Sequence, residues 1–269
     1  MTSSRIVFGL VVPAAATELA ERVDAMTRIV GEQASLAIER RSAASYEALA
    51  TDVREGRVDV AWLPPIVFVR LADAVVPLGS IMRGGKSAYE AALVVRADSR
   101  IKTIDALRGS RAGWVDPWSA AGFVLPRMKL ALLGIDPRTA FRTETFHGTH
   151  RAAVQALVEG ACDVVGTYAR EGSEGPESSG AWSEVAGAEV RVIATFGAIP
   201  PDVIAARKEL QEEVREKVLG ALRAAGKVAA MTAALRELFG GDELREGLAP
   251  GYDALKSALE MASARGLFD

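Results

Sequence analysis

Hydrophobic positions follow two alternating patterns along the chain. Short continuous runs rich in valine and isoleucine, such as residues 6–12 and 58–63, predict buried strands. Longer stretches between them place apolar residues three or four positions apart, as in residues 17–30, and predict amphipathic helices. Strands that alternate with helices are typical of βαβ units around a mostly parallel sheet. The pattern therefore predicts an α/β fold.

Glycine and proline set the expected ends of these elements. Predicted helices over residues 46–55, 124–133 and 151–158 are each followed, directly or after one residue, by a glycine, which is common just past a helix end. The pair Pro64-Pro65 is expected to end the strand before it, because proline cannot donate a hydrogen bond to a neighbouring strand.

Two long apolar runs, residues 91–95 and 190–194, flank a self-contained α/β stretch. We interpret them as the points where the chain leaves and re-enters a first lobe. A two-strand hinge near Val94 and Val192 is expected to join the two lobes, which close on a ligand between them. The predicted lobes are residues 1–95 with 195–269, which include amphipathic C-terminal helices, and residues 96–194.

Composition and charge exclude several classes of protein. Of the 269 residues, 49% are hydrophobic and 25% are charged, as in globular proteins, and the net charge of -3 offers no basic surface to nucleic acid. The apolar run at residues 6–12 is too short to span a membrane, so no membrane span is expected. With no leader before this run, we expect a cytoplasmic protein. A leader upstream of these residues would imply a periplasmic or lipid-anchored one.

Cysteine and histidine offer little for metal or redox chemistry. Cys162 is the only cysteine and lies in an apolar run, so we expect a core residue and no disulfide. The two histidines, His147 and His150, leave little material for a metal site. The sequence also lacks a dinucleotide-binding motif. Neither a metal nor another cofactor is expected.

Residues 116–123 have the form of an anion-binding turn. A predicted strand ends at Val115, a turn bearing Ser119 follows, and Gly122 leads into the next helix. The first N–H groups of a helix have no partner within it, and the N-terminal end of a helix is electrostatically positive. We therefore expect an anionic group to bind at this turn.

Six short motifs, including this turn, follow one another in order. They are residues 45–49 (SYEAL), 56–65 (GRVDVAWLPP), 114–123 (WVDPWSAAGF), 133–137 (LGIDP), 146–154 (FHGTHRAAV) and 198–202 (AIPPD). Together they resemble the phosphate, phosphite and phosphonate substrate-binding proteins of bacterial ABC importers. The resemblance implies a two-lobed type II periplasmic-binding-protein fold, with two mixed sheets flanked by helices. It also implies a small-molecule ligand and an ABC-transporter permease as partner, with a cytoplasmic partner as the alternative.

The resemblance carries the family's anion contacts over only in part. The family's Ser-Thr-Ser-Gly turn is Ser119-Ala120-Ala121-Gly122 here, which keeps one hydroxyl and loses two. A missing hydrogen bond to a charged group costs about 1.5–3 kcal/mol, so we expect weakened phosphonate binding. The family's Ser-His-Asp turn is Thr149-His150-Arg151, which keeps the hydroxyl and the imidazole.

Aromatic residues are expected to line the site. Trp118 replaces a small residue of the family's turn, and Tyr46 and Tyr89 match tyrosines that line the family's cleft. A carboxylate with an apolar or ring-shaped body fits this chemistry better than a small phosphonate. The ligand-binding residues implied by the resemblance are Tyr46, Tyr89, Trp118, Ser119, Ala120, Ala121, Thr149, His150, Tyr168 and Asp202.

Several of these residues also have a structural interpretation. Trp118 could pack on a lobe surface, and Tyr46 could act only as a staple at a helix start. His150 could cap the predicted helix over residues 151–158, although Thr149 is the better N-cap. Arg83 and Lys86 could bind an anion, although a solvated loop is the favoured interpretation.

A cytoplasmic biosynthetic enzyme of the lyase or dehydratase type, built on the same fold, is the alternative function. Such an enzyme would use His150 as general acid or base, with Tyr46 or Asp116 in support. We favour a binding protein because the motif series points to one and because the sequence has no Ser-His-Asp order.

Overall fold

The computed structural model describes residues 5–12, 17–85, 88–170, 179–225, 227 and 229–268. The chain divides into two compact units. Unit 1 comprises residues 1–87 and 200–252, and unit 2 comprises residues 88–199 and 253–269.

Strands and helices alternate through most of the chain, as the hydrophobic pattern predicts. The strands are β1 (Arg5–Val11), β2 (Ala37–Ala43), β3 (Val60–Leu63), β4 (Val75–Met82), β5 (Tyr89–Arg96), β6 (Arg111–Trp114), β7 (Thr143–Phe146), β8 (Val164–Ala169), β9 (Val190–Ile199), β10 (Val203–Arg207) and β11 (Glu243–Glu246). The helices are α1 (Thr17–Ala34), α2 (Tyr46–Arg54), α3 (Pro65–Leu71), α4 (Leu125–Leu132), α5 (His150–Val158), α6 (Glu212–Ala225), α7 (Ala229–Phe239) and α8 (Tyr252–Ala264).

Unit 1 is built on a mixed six-stranded sheet with the order β11-β4-β10-β3-β1-β2. Strand β1 runs parallel to β2 and β3, and β10 runs antiparallel to β3 and β4. Helix α1 buries Val23, Met26 and Val30, the face that the three-to-four spacing predicts, in one core with Phe8 of β1.

Unit 2 is built on a mixed five-stranded sheet with the order β7-β6-β8-β5-β9. Strand β6 runs parallel to β7 and β8, whereas β5 runs antiparallel to β8 and β9. Helix α5 packs its buried residues Ala153, Val154 and Leu157 in one core with Val165 of β8. The two mixed sheets with flanking helices confirm the predicted α/β class.

The two units share a βαβαβ module with the same strand register. In module 1 (residues 5–63), Val7 pairs with Glu39 and Phe8 with Val60. In module 2 (residues 109–167), the corresponding residues lie 104 positions further along the chain, so that position 7 corresponds to position 111 and position 39 to position 143. The pairs are Arg111 with Thr143 and Ala112 with Val164.

One carboxylate braces each module at the same position. The N–H of Val7 donates to Asp59 Oδ2, and the N–H of Arg111 donates to Asp163 Oδ2, each at 2.9 Å. Each aspartate thus bonds the first strand of its module just before the third strand begins. The modules therefore share backbone bracing as well as strand order.

The structure differs from the sequence prediction at several elements. The sequence predicted only the end of a strand at Pro64-Pro65, but helix α3 begins at Pro65. Proline is well tolerated at the first position of a helix. Strand β11 lies inside the tail that was predicted to be helical. Val94 and Val192, the predicted hinge points, pair with each other inside the sheet of unit 2.

The C-terminal residues 253–269 group with unit 2, whereas the sequence analysis placed them in the first lobe. Their contacts give the reason. The Nε of Arg127, on α4, donates to the carbonyl of Leu267 at 2.9 Å, and the ring of Phe268 lies 6.3 Å from that of Phe123.

Candidate ligand-binding site

Unit 2 brings most of the predicted site residues to one edge of its sheet. Strands β6, β7 and β8 are parallel, so their carboxyl ends lie at the same edge, and the antiparallel β5 begins there. The N–H groups of His147 and Gly148 donate to the carbonyls of Trp114 (2.9 Å) and Val115 (2.8 Å). These bonds hold the segment before α5 beside the end of β6. The residues at this edge are Tyr89, Trp118, Ser119, Ala120, Ala121, Thr149, His150 and Tyr168.

The turn after β6 is closed by two hydrogen bonds from the backbone to side chains. Asp116 Oδ1 accepts from the N–H of Trp118 at 2.7 Å, and Ser119 Oγ accepts from the N–H of Gly122 at 3.0 Å. Residues Ala120–Val124 then form a wide π-helical turn that runs directly into α4. Among the hydrogen bonds of the described residues, none uses the N–H of Ala120 or Ala121. Two backbone donors and the Ser119 hydroxyl are therefore grouped in one turn.

Gly122 is required by close packing at this turn. A Cβ at this position would lie 2.4 Å from Cγ2 of Val115 and 2.7 Å from Oγ of Ser119. Any larger residue would therefore displace the capping hydroxyl. Ser119 itself is only 3% exposed, so the cap is shielded from bulk water.

Thr149 and His150 begin α5 as the sequence analysis expects. Oγ1 of Thr149 accepts from the N–H of Ala152 at 3.1 Å, so Thr149 is the N-cap. The half-buried His150 is therefore not needed as a cap. Its Nδ1 lies 2.9 Å from Oγ1 of Thr167, a residue of β8 that is 0% exposed.

Tyr168 follows Thr167 and connects the aromatic residues of this edge. Its ring meets the His150 ring edge-on at a centroid distance of 5.1 Å and the Tyr89 ring at 6.5 Å. Its hydroxyl donates to the carboxylate of Glu184. Three rings thus lie together at the sheet edge that also carries the Ser119 turn, and the half-buried Trp118 belongs to the turn itself.

Two predicted residues, Tyr46 and Asp202, belong to unit 1. Tyr46 is the first residue of α2, behind the N-cap Ser45, and is half-buried. Asp202 is buried, and its Oδ2 accepts from Arg83 at 2.7 Å. The interpretation of Arg83 as part of a solvated loop is therefore wrong, since its guanidinium forms an ion pair with a buried carboxylate. Lys86 lies outside the described residues.

Burial affects both Cys162 and His147. Cys162 is buried, and burial raises the pKa of its thiol to about 11, which confirms it as a core residue. Burial also lowers the pKa of His147, whose Nε2 lies 3.1 Å from Oγ1 of Thr145.

Within the described ranges, we find no cluster of three or more metal-binding side chains. No described helix is both long and apolar enough to span a bilayer.

Thr167 and Glu184 were not predicted as part of this site. Thr167 lies 17 residues from its partner His150, and Glu184 lies 16 residues from its partner Tyr168. Neither separation is a helical or strand spacing. A threonine inside the otherwise apolar strand β8 was the one available signal for Thr167. Nothing in the local sequence indicated Glu184.

Comparison with known proteins places these features in a family. The sequence model of the family described as "ABC transporter, phosphonate, periplasmic substrate-binding protein" matches residues 8–250. The Phosphate-import protein PhnD of Mycolicibacterium smegmatis is 25% identical over 159 residues, which cover 55% of this chain and 50% of that protein. The match thus spans about half the length of this curated relative.

Solved structures agree in fold. The binding protein component of an ABC phosphonate transporter from Pseudomonas aeruginosa superposes with a TM-score of 0.81 at 21% identity, covering 98% of this chain and 87% of that chain. PhnD1 from Prochlorococcus marinus, in complex with methylphosphonate, superposes with a TM-score of 0.79 at 13% identity, covering 97% and 99%.

These comparisons confirm the type II periplasmic-binding-protein fold and give no support to the enzyme alternative. The family match extends through both units and includes the Ser119 turn and the start of α5. The chain therefore belongs to the family of periplasmic substrate-binding proteins of ABC phosphonate transporters.

Proposed function

We propose that this protein captures a small anionic or zwitterionic molecule for an ABC importer, with the oxyanion of the ligand bound at the Ser119 turn. The observation that carries the proposal is the pair of backbone N–H groups at Ala120 and Ala121, beside the Ser119 hydroxyl. Such donors bind oxyanions without a neighbouring cation. The imidazole of His150, at the same sheet edge, is a further donor.

The ligand that we propose is an aromatic carboxylate. A phosphonate has three oxygens to satisfy, and this turn has alanine at the two positions where the family has hydroxyls. Two missing hydrogen bonds of about 1.5–3 kcal/mol each would weaken phosphonate binding by about two orders of magnitude or more. A carboxylate has only two oxygens. The rings of Tyr89, Trp118 and Tyr168 offer apolar surface to a planar body.

The family suggests where the protein works and which protein it meets. We propose that it acts on the outer side of the cytoplasmic membrane and delivers its ligand to a transporter permease. The family match does not support the expected cytoplasmic location.

Isothermal titration of the protein with benzoate, methylphosphonate and inorganic phosphate tests this function. We expect binding of benzoate, and at 100 times its dissociation constant it should raise the free energy of unfolding by about 2.7 kcal/mol. Ser119→Ala should weaken binding at least about tenfold. Ser110→Ala, at the opposite end of β6, is the matched control and should bind normally. No heat and no thermal shift with any of the three ligands would refute the proposal.

A further inference from the structure

Thr167 is a fully buried polar residue within an apolar strand. Its side chain is 0% exposed, and its strand neighbour on β5 is Ala92. Among the described residues, the hydrogen bond of its Oγ1 to Nδ1 of His150, at 2.9 Å, is the only one that we find for this hydroxyl. Buried polar groups nearly always have a hydrogen-bond partner, so this pairing determines what the hydroxyl proton can do.

The pairing selects one tautomer of His150. If the Thr167 hydroxyl donates to Nδ1, the hydroxyl proton is satisfied and the imidazole carries its own proton on Nε2. If Nδ1 carries the proton and donates to Oγ1, the buried hydroxyl proton is left without an acceptor, which is unfavourable. The first arrangement therefore dominates for the neutral ring.

The surroundings of His150 also restrict its orientation. Thr149 caps α5 and fixes the backbone of the following residue, and the Tyr168 ring packs edge-on against the imidazole at 5.1 Å. With Nδ1 held by Thr167, the ring cannot rotate about its axis without losing that hydrogen bond. Nε2 is then the ring atom that carries the N–H donor.

We propose that Thr167 is a positioning residue that holds His150 in its neutral Nε2–H tautomer, so that the imidazole offers a neutral N–H donor to the oxyanion of the ligand. The inference rests on the proposed function for the ligand, whereas the tautomer can be tested without it. Oxyanion binding at this edge then uses N–H and O–H dipoles from Ser119, Ala120, Ala121 and His150.

Long-range ¹H–¹⁵N NMR of the ligand-free protein tests the tautomer. Spectra are recorded well above the titration range of histidine, and His147 is the only other histidine signal to assign. We expect the proton of His150 on Nε2 and a hydrogen-bonded, unprotonated Nδ1. A proton on Nδ1 in the unmodified protein would overturn the proposal, and this readout does not depend on any variant folding.

Two variants then test the consequence for binding, with benzoate, methylphosphonate and inorganic phosphate as probes. Thr167→Val removes the hydroxyl at constant shape, and we expect a mixture of His150 tautomers and about fivefold weaker binding of whichever probe binds. Thr167→Ser keeps the hydroxyl and should retain the single tautomer and bind within about twofold. Unchanged signals and affinity in Thr167→Val would contradict the positioning role. If the unmodified protein binds none of the three probes, the proposed function fails, and the tautomer result alone decides the role of Thr167.

Discussion

Modules 1 and 2 have the same strand register but carry different side chains at their carboxyl edges. Both cap the helix after their second strand in the same way, since Ser45 accepts from Ala48 and Thr149 from Ala152, each at 3.1 Å. The next residue is Tyr46 in one module and His150 in the other. The backbone bracing is thus shared, while the residue at each helix start differs.

The fourth residue of the third strand also differs between the two modules. The position of Thr167, which bonds His150, is taken in module 1 by the buried Leu63. A hydrocarbon side chain there cannot orient a partner by hydrogen bonding. In module 2, therefore, a buried hydroxyl orients the side chain at the start of the second helix, His150. Variants at corresponding positions test how far the two modules are alike.

The largest expected effect concerns two corresponding glycines in the first strands. A Cβ at Gly9 would lie 2.7 Å from both Cγ atoms of Val58, whereas a Cβ at Gly113 would lie 2.9 Å from Sγ of Cys162. Overpacking a core costs about 1–3 kcal/mol, so Gly9→Ala should fall at the upper end of this range and Gly113→Ala at the lower. Urea denaturation followed by circular dichroism measures both. A larger loss of stability in Gly113→Ala would contradict this order, which rests on the two clash distances.

The bracing carboxylates should follow in size. Asp59→Ala and Asp163→Ala each leave a strand N–H without its acceptor, at a cost of about 1–3 kcal/mol. The side chain of Asp59 is 15% exposed and that of Asp163 is 33% exposed, so the loss should be greater for Asp59. Equal urea midpoints for the two variants would show that burial does not control this difference.

The two N-caps should have nearly equal effects. Ser45→Ala and Thr149→Ala should each lower the free energy of unfolding by about 1 kcal/mol, because each removes one bond to an orphan N–H. Thermal unfolding monitored by circular dichroism measures the cost. A loss of stability in only one of the two variants would show that the helix starts are not equivalent.

The smallest expected effect is a pH dependence at Asp163. Hydrogen bonds from the Arg111 side chain lower the pKa of this carboxyl below its usual value. A lowered folded-state pKa means that the stabilisation is present above about pH 4 and is lost as the pH falls through the folded-state pKa. Asp163→Asn should therefore be less stable than the unmodified protein by about 0.2–1 kcal/mol at neutral pH. The difference should disappear in acid, and a difference that grows as the pH falls would contradict this sign.

Local patterns in the sequence predicted much of the fold. The apolar run of β1, the amphipathic spacing of α1 and the N-cap Thr149 each depend on neighbours within a few positions, and the structure confirms them. Strand β11 was missed because its four residues, Glu243–Glu246, carry no hydrophobic pattern and pair only through the edge of β4. Helix α3 was missed because a proline pair ends a strand and begins a helix equally well.

Site residues that belong to a sequence motif could be predicted. Contacts between residues on distant elements could not. Sequence motifs identified Ser119 and His150, but the partner of His150 lies on another element and could not be read from spacing. The shift of 104 positions between the modules is a property of the strand pairing in the structure. By this shift His150 corresponds to Tyr46, and Asp163 corresponds to Asp59.

The central claim is that the Ser119 turn binds the oxyanion and that its two alanines disfavour phosphonates. Calorimetric titration of methylphosphonate into the double variant Ala120→Thr/Ala121→Ser, compared with the unmodified protein, tests it most directly. We predict binding at least about tenfold tighter in the variant, since the hydroxyls return to the turn. An unchanged methylphosphonate affinity, in a variant whose melting temperature shows that it is folded, would contradict the claim.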